Sequence, residues 1–279
     1  MSSGIPRRPR GLPLKRELVE LAAESRSNAL LEAPNLVHVT AVGWGRRIIS
    51  NGRIETRRCP AFNRDLLYAF LARPSYRFRD GDTKSSQMSR FPFVFVISSE
   101  ALPPPYHVYP FDTGACMAGV YGDVPDPTIY LEDYELTPTI DGALQHVAWA
   151  FGSKEAYFDG TLRPGLADSL PEWRSVGRSW IDIANLAATG RDKPDARASA
   201  IELAYSQSID LKQGHVRLAI FPQQLLEDPR GDNTEFINAM TKLGILTKTY
   251  DWRANETPDS FMDEITRIVR QQLVESGQL

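Results

Sequence analysis

The eight residues FPFVFVIS, at positions 91–98, constrain the fold of this chain more than any other stretch. The run is unbroken in its apolar, aromatic and β-branched character, so it reads as a strand covered on both faces. A strand of that kind belongs in the interior of a sheet. Other stretches that read as strands are NLVHVTAV (35–42), SAIELAYS (199–206), HVRLAIFP (215–222) and ILTKTYDW (245–252).

Between these strands the apolar residues return at helical spacing. LKRELVELAAES (14–25) carries Leu14, Leu18 and Leu21 on one stripe. TIDGALQHVAWAFG aligns Ile140, Leu144, Val147, Ala148 and Phe151, with Thr139 as N-cap and Gly152 as stop. His146 sits among those apolar positions and reads as structural. TEFINAMTKLG and SFMDEITRIVRQQLVES read as two further helices, and GRRIISNG as a short helix or turn stopped by Asn51-Gly52. RDLLYAFLARPSYRF (64–78) reads as a helical or turn-like apolar cluster that Pro74 must end. Residues 159–198 read as a long loop with a helical piece near 173–189, pinned by buried Trp173 and Trp180. The expected class is α+β, a mixed sheet core with surrounding helices. Residues 1–12, rich in Pro, Arg and Gly, are expected to be mobile, with a single domain over 13–279.

Composition narrows the classes further. Apolar residues make up 42% of the 279 and charged residues 24%, which fits a globular chain with a sizeable core. No run has the length of a membrane-spanning helix, and the N-terminus lacks the apolar middle of a secretory signal. Cys59 and Cys116 make no disulfide framework and have no metal-ligand spacing to another Cys or His. A cytoplasmic protein with no membrane association and no metal is expected. The net charge of −3 is unevenly spread. Residues 46–79 hold nine arginines against Glu55 and Asp65, a local +7, which leaves −10 for the rest. A basic block in an acidic chain suits an anionic partner such as a dinucleotide or a nucleic acid, or else a solvated surface.

The common catalytic signatures are missing. There is no G-x-x-x-x-G-K-[ST], no G-x-G-x-x-G and no G-x-S-x-G. Asp112-Thr113-Gly114-Ala115 is similar to the tetrapeptide of retroviral-type aspartic proteases, whose chemistry needs two carboxylates sharing a proton. No second copy exists in the chain, and the same residues suit an ordinary turn.

Four pieces taken in order carry more weight: LVHVTAVGWGRRIISNGRI, DLLYAFLARPSYRF, FPFVFVIS and RASAIELAYSQSIDL. Together they resemble the ADP-ribosyltransferase superfamily, with the nearest analogy in bacterial toxins that modify nucleic acids and proteins. That family begins with a strand bearing His-x-Thr and a short helix ending at glycine. A tyrosine- or proline-containing segment, often with an arginine, then precedes a core strand, and a catalytic glutamate comes late, on a strand. The matching positions are His38 and Thr40, Gly52, Tyr68, Arg73-Pro74-Ser75-Tyr76, the strand at 91–98 and Glu202. The resemblance covers about a third of the chain, and the stretch at about 100–195 has no counterpart in it. Glu132, Glu135 and Glu155 therefore stay open as rivals to Glu202.

What the resemblance implies is chemically coherent. Cleaving the bond between nicotinamide and ribose passes through a cation-like sugar, which a carboxylate such as Glu202 can stabilise. His38 and Thr40, two apart on a strand and so on one face, would bond the adenosine half of NAD. Arg73, with Ser75 beside it, would meet the pyrophosphate, and Tyr68 or Tyr76 would offer a ring to nicotinamide. NAD is thus the expected substrate, with nucleic acid or protein as acceptor. A NAD hydrolase on the same fold and a non-catalytic nucleic-acid-binding module are the alternatives.

Overall fold

The computed structural model describes residues 4–24, 33–78, 81–188, 194–211, 214–228 and 230–279. Arg79 and residues 189–193 of the expected long loop lie outside the described residues. Along the chain the helices are α1 (Glu17–Glu24), α2 (Val42–Asn51), α3 (Thr113–Met117), α4 (Ile140–Ala150), α5 (Lys154–Phe158), α6 (Ser175–Ala184), α7 (Thr234–Leu243) and α8 (Met262–Glu275). The strands are β1 (Leu36–Ala41), β2 (Arg53–Ile54), β3 (Arg57–Cys59), β4 (Arg64–Leu71), β5 (Pro92–Ile97) and β6 (His107–Tyr109). They continue with β7 (Glu202–Tyr205), β8 (Ile209–Asp210), β9 (Val216–Pro222), β10 (Glu227–Asp228), β11 (Gly231–Asp232) and β12 (Leu246–Tyr250). The chain divides into two compact units: Met1–Ala33 with Pro104–Ala204, and Pro34–Pro103 with Tyr205–Leu279.

The second unit is built on a mixed sheet ordered β12-β9-β5-β1-β4, so the chain is α+β as its pattern implies. The FPFVFVIS run supplies β5, which pairs antiparallel with β1 on one edge and β9 on the other. Phe93, Val94, Phe95, Val96 and Ile97 are all fully buried. Each such side chain contributes roughly 1.5–3 kcal/mol relative to exposure. β9 and β12 run parallel, a pairing that needs a crossover, and α7 lies between them in sequence.

Helix α2 packs on this sheet through a glycine. A Cβ on Gly45 would lie 2.2 Å from Cγ of Phe93, so only a bare backbone allows the helix that close. Gly52 ends the same helix with φ of 66°, its N–H reaching the carbonyls of Ile48 and Ile49, as the Asn51-Gly52 stop implies.

One expectation is overturned here. RDLLYAFLARPSYRF is neither helix nor turn over its apolar part: residues 64–71 form the eight-residue strand β4. Its Leu- and Ala-rich composition suits a helix, but propensity yields to pairing. β3 lines up against it from Arg57 opposite Leu66 to Cys59 opposite Arg64, and β1 pairs Val37 with Phe70. The strand stops at Leu71, ahead of Pro74, where Ala72 takes φ of 55°.

In the first unit β6 pairs antiparallel with β7, setting Tyr109 opposite Glu202. Helix α4 starts where expected, Thr139 Oγ1 accepting from Gly142 N at 2.9 Å. His146 on α4 is fully buried between Trp149 and Trp180, with the Trp180 ring edge-on at 4.5 Å. Trp180 is buried and donates from its indole nitrogen to the Pro110 carbonyl. Trp173 is no buried pin: it is 79% exposed, on the turn leading into α6. At the start of the chain Ile5 is buried, Leu131 N bonds the Pro6 carbonyl and Arg8 pairs with buried Asp133.

Candidate functional site

Strand β1 carries His38 and Thr40 on one face, half-buried, while Val37 and Val39 are buried on the other. Across the ladder they face Phe95 and Phe93 of β5, and the imidazole stacks beside Phe95 with centroids 6.4 Å apart. Nδ1 of His38 lies 2.7 Å from the Tyr68 carbonyl on β4. A carbonyl only accepts, so the neutral ring carries its proton on Nδ1 and presents Nε2 as an acceptor. Burial pushes the His38 pKa below the ordinary histidine value. The bond to Tyr68 opposes that shift and the charge of Arg57 adds to it. His38 is therefore neutral at physiological pH.

Tyr68 is held at both ends. Its carbonyl accepts from Nδ1 of His38 and its hydroxyl donates to Sγ of Cys59 at 3.0 Å. The chain then turns sharply: Ala72 N bonds the Asn35 carbonyl, Arg73 N the Leu71 carbonyl and Ser75 N the Arg73 carbonyl. Arg73 and Ser75 are buried, each 5% exposed, whereas Tyr76 is exposed and packs edge-on against Phe78. His38, Thr40, Tyr68, Arg73, Ser75 and Tyr76 all belong to the second unit.

Glu202 belongs to the first unit, on β7, and is only 3% exposed. Its neighbours Ile201 and Leu203 are buried as well, so this strand has no solvent face of the kind alternation suggests. Its Oε1 accepts from the Thr113 hydroxyl at 2.6 Å. Thr113 opens helix α3, whose N-cap is Asp112: the Asp112 carboxylate accepts from Ala115 N at 2.9 Å. That cap accounts for the protease-like tetrapeptide, since aspartate two or three residues before a free helical N–H is a standard cap. Burial pushes the Asp112 carboxyl up, against the pull of the Ala115 N–H and of Arg197.

The rival glutamates differ in setting. Glu132 anchors the start of the chain, pairing with the Arg7 guanidinium at 2.5 Å and accepting from Arg8 N at 2.8 Å. Glu135 is half-buried, and burial pushes its carboxyl up. Glu155 lies exposed in the first turn of α5. Glu202 alone among the four is buried within a strand.

Sequence reading did not find Cys59 as the partner of Tyr68 or Thr113 as the partner of Glu202. The first could have been sought once 57–59 and 64–66 were read as a hairpin. The second, 89 residues apart, left no local signal. Among the described residues no cluster of three or more His, Cys, Asp or Glu could hold a metal ion, and no helix is long and apolar enough to cross a membrane. No known protein family matches this chain, and no curated protein and no solved structure matches it either.

Proposed function

We propose that this chain is a NAD-using ADP-ribosyltransferase of the cytoplasm, with nucleic acid or protein as acceptor. The observation that carries the reading is the His38–Tyr68 bond. It ties the His-x-Thr strand to the strand that leads into Arg73-Pro74-Ser75-Tyr76, two pieces to which the resemblance assigns NAD binding. The free cysteines Cys59 and Cys116 suit a reducing compartment.

In this reading the neutral imidazole of His38 accepts from a hydroxyl of the adenosine half through Nε2, with Thr40 beside it on the same face. Arg73 and Ser75 meet the pyrophosphate, the guanidinium in bidentate fashion. Tyr68 or the exposed ring of Tyr76 stacks on nicotinamide. The bond between nicotinamide nitrogen and ribose C1′ breaks, and its electron pair leaves with neutral nicotinamide. The acceptor atom bonds to C1′ and gives up its proton to solvent. Stabilising the positive charge that develops on the sugar is the role the resemblance implies for the Glu202 carboxylate, one oxygen of which is fixed by Thr113.

The test is release of free nicotinamide from NAD, followed by chromatography, with and without oligonucleotide or protein acceptors. Transfer predicts ADP-ribose attached to an acceptor in step with nicotinamide. Free ADP-ribose in equal amount would assign a NAD hydrolase, and no nicotinamide at all would leave a binding module.

A further inference from the structure

Helix α2 buries Val42, Gly45, Ile48 and Ile49 against its own unit and turns Trp44, Arg46 and Arg47 outward. Trp44 is 44% exposed, unusual for the largest apolar side chain on a helix whose other face is well packed. Two guanidiniums gather on its ring, that of Arg57 from β3 at 3.8 Å and that of Arg47 at 5.2 Å. Arg46 and Arg53 lie exposed on the same helix and just beyond its end. Among the described residues no carboxylate comes within ion-pair distance of Arg46, Arg47, Arg53 or Arg57. Arg58 donates to the Asn63 side chain and lies 3.8 Å from Asp65, in solvent.

Guanidiniums drawn together around an aromatic face, unpaired even with Glu55 and with Asp210 opposite Arg53 in the β2–β8 ladder, describe a surface that wants an anion and a flat ring at once. We propose that this face of the second unit binds single-stranded nucleic acid, an unpaired base taking the place of the Arg57 guanidinium on the Trp44 ring while Arg57, with Arg46, Arg47 and Arg53, meets the flanking phosphates. Stacking on an exposed aromatic among arginines is how sequence-tolerant single-strand binders hold their ligand. A duplex hides its base faces and leaves Trp44 without a role. An acidic peptide would use the arginines and ignore the indole. A membrane surface fits poorly, because the apolar side of α2 is already buried and nothing is left to insert. The proposal narrows the acceptor class in the ADP-ribosyltransferase reading, but its test needs no NAD, so either can fail without the other.

The experiment measures anisotropy of a labelled single-stranded 20-mer against the full chain at two salt concentrations, NAD absent. Trp44→Ala is expected to weaken binding by about tenfold with an unchanged salt slope, and Trp44→Phe to keep most of the affinity, because stacking and not charge is altered. Arg46→Ala and Arg53→Ala are expected to lower both affinity and the salt slope. Thermal melts of each variant guard against unfolding, and the melting temperature of Trp44→Ala should stay near that of the parent. Equal binding by Trp44→Ala, a duplex bound as tightly as the single strand, or a poly-glutamate peptide bound more tightly would each overturn the proposal. Nicotinamide release measured in parallel reports on the catalytic reading separately.

Discussion

His38 and Tyr68, thirty residues apart, are joined by a 2.7 Å bond from imidazole Nδ1 to a backbone carbonyl. The bond fixes which nitrogen of the ring carries the proton, and burial keeps the ring neutral. A single backbone acceptor thus decides what His38 offers a ligand: an acceptor at Nε2.

His38→Ala should therefore cost on two counts. The Tyr68 carbonyl loses its donor, which lowers stability by about 1–3 kcal/mol if no water replaces it. NAD affinity should fall by about tenfold, the scale of one lost hydrogen bond to a polar ligand. Urea titration and NAD calorimetry on the same variant separate the two. A variant with unchanged NAD affinity would remove His38 from the binding face.

Two buried histidines of the first unit should make the protein acid-sensitive. Burial lowers His107 and His146 to about 3, with the charge of Arg7 adding to the effect at His107. Their unfolded values lie near 6.5, so below that pH the unfolded chain binds protons that the native state refuses. Stability is full above the unfolded value and is lost as pH falls from there towards about 3. Each histidine contributes about 1.4 kcal/mol per pH unit well inside that window. His146→Phe should flatten the dependence by one such share between pH 6 and 4, read from urea midpoints. An unaltered slope would mean that His146 is protonated within the fold.

The Gly45 contact predicts a substitution that looks harmless and is not. Alanine favours helices over glycine by about 1 kcal/mol, but here its Cβ would enter the Phe93 ring. Gly45→Ala should lose about 1–3 kcal/mol net through overpacking. Gly43→Ala on the same helix, with the nearest atom 3.4 Å from the added Cβ, should be close to neutral. Thermal melts of the pair would show whether helix propensity or contact with the sheet governs α2.

The parts of this fold that were legible in sequence share a local cause. β5 announced itself by continuous apolar character, and α4 by its stripe, its Thr139 cap and its glycine stop. β4 was misread because Leu and Ala carry little strand signal, and its identity rests on partners at Arg57–Cys59 and Val37. Trp173 departs from its expected burial because a tryptophan in sequence implies a core position, whereas this one stands 79% exposed on the turn before α6. At the candidate site, strand period placed His38 and Thr40 on one face correctly. The burial of Glu202 was not legible, since its partner Thr113 lies 89 residues away in sequence.

Arg73 and the arginines of α2 and β3 should separate by ligand. Arg73→Ala is expected to weaken NAD by about tenfold or more and a single-stranded oligonucleotide only slightly. Arg73→Lys keeps the charge but not the bidentate fork, and should recover only part of the NAD affinity. Arg46→Ala, Arg47→Ala and Arg57→Ala should show the reverse preference. Equal losses for both ligands across all these variants would indicate one general anion-binding surface.

Glu202→Gln separates a carboxylate that drives the proposed cleavage of NAD from one that only packs. The amide keeps the size of the side chain and can still accept from Thr113, but it removes the charge proposed to stabilise the sugar cation. The measurement is the rate of nicotinamide release from NAD by the parent chain and by the variant, with NAD affinity determined for both. Release by the parent, a fall of about 10²-fold or more in the variant, and NAD binding left intact are expected. Release by the variant at the parent's rate, or none from the parent with any acceptor, would contradict the proposed role of Glu202.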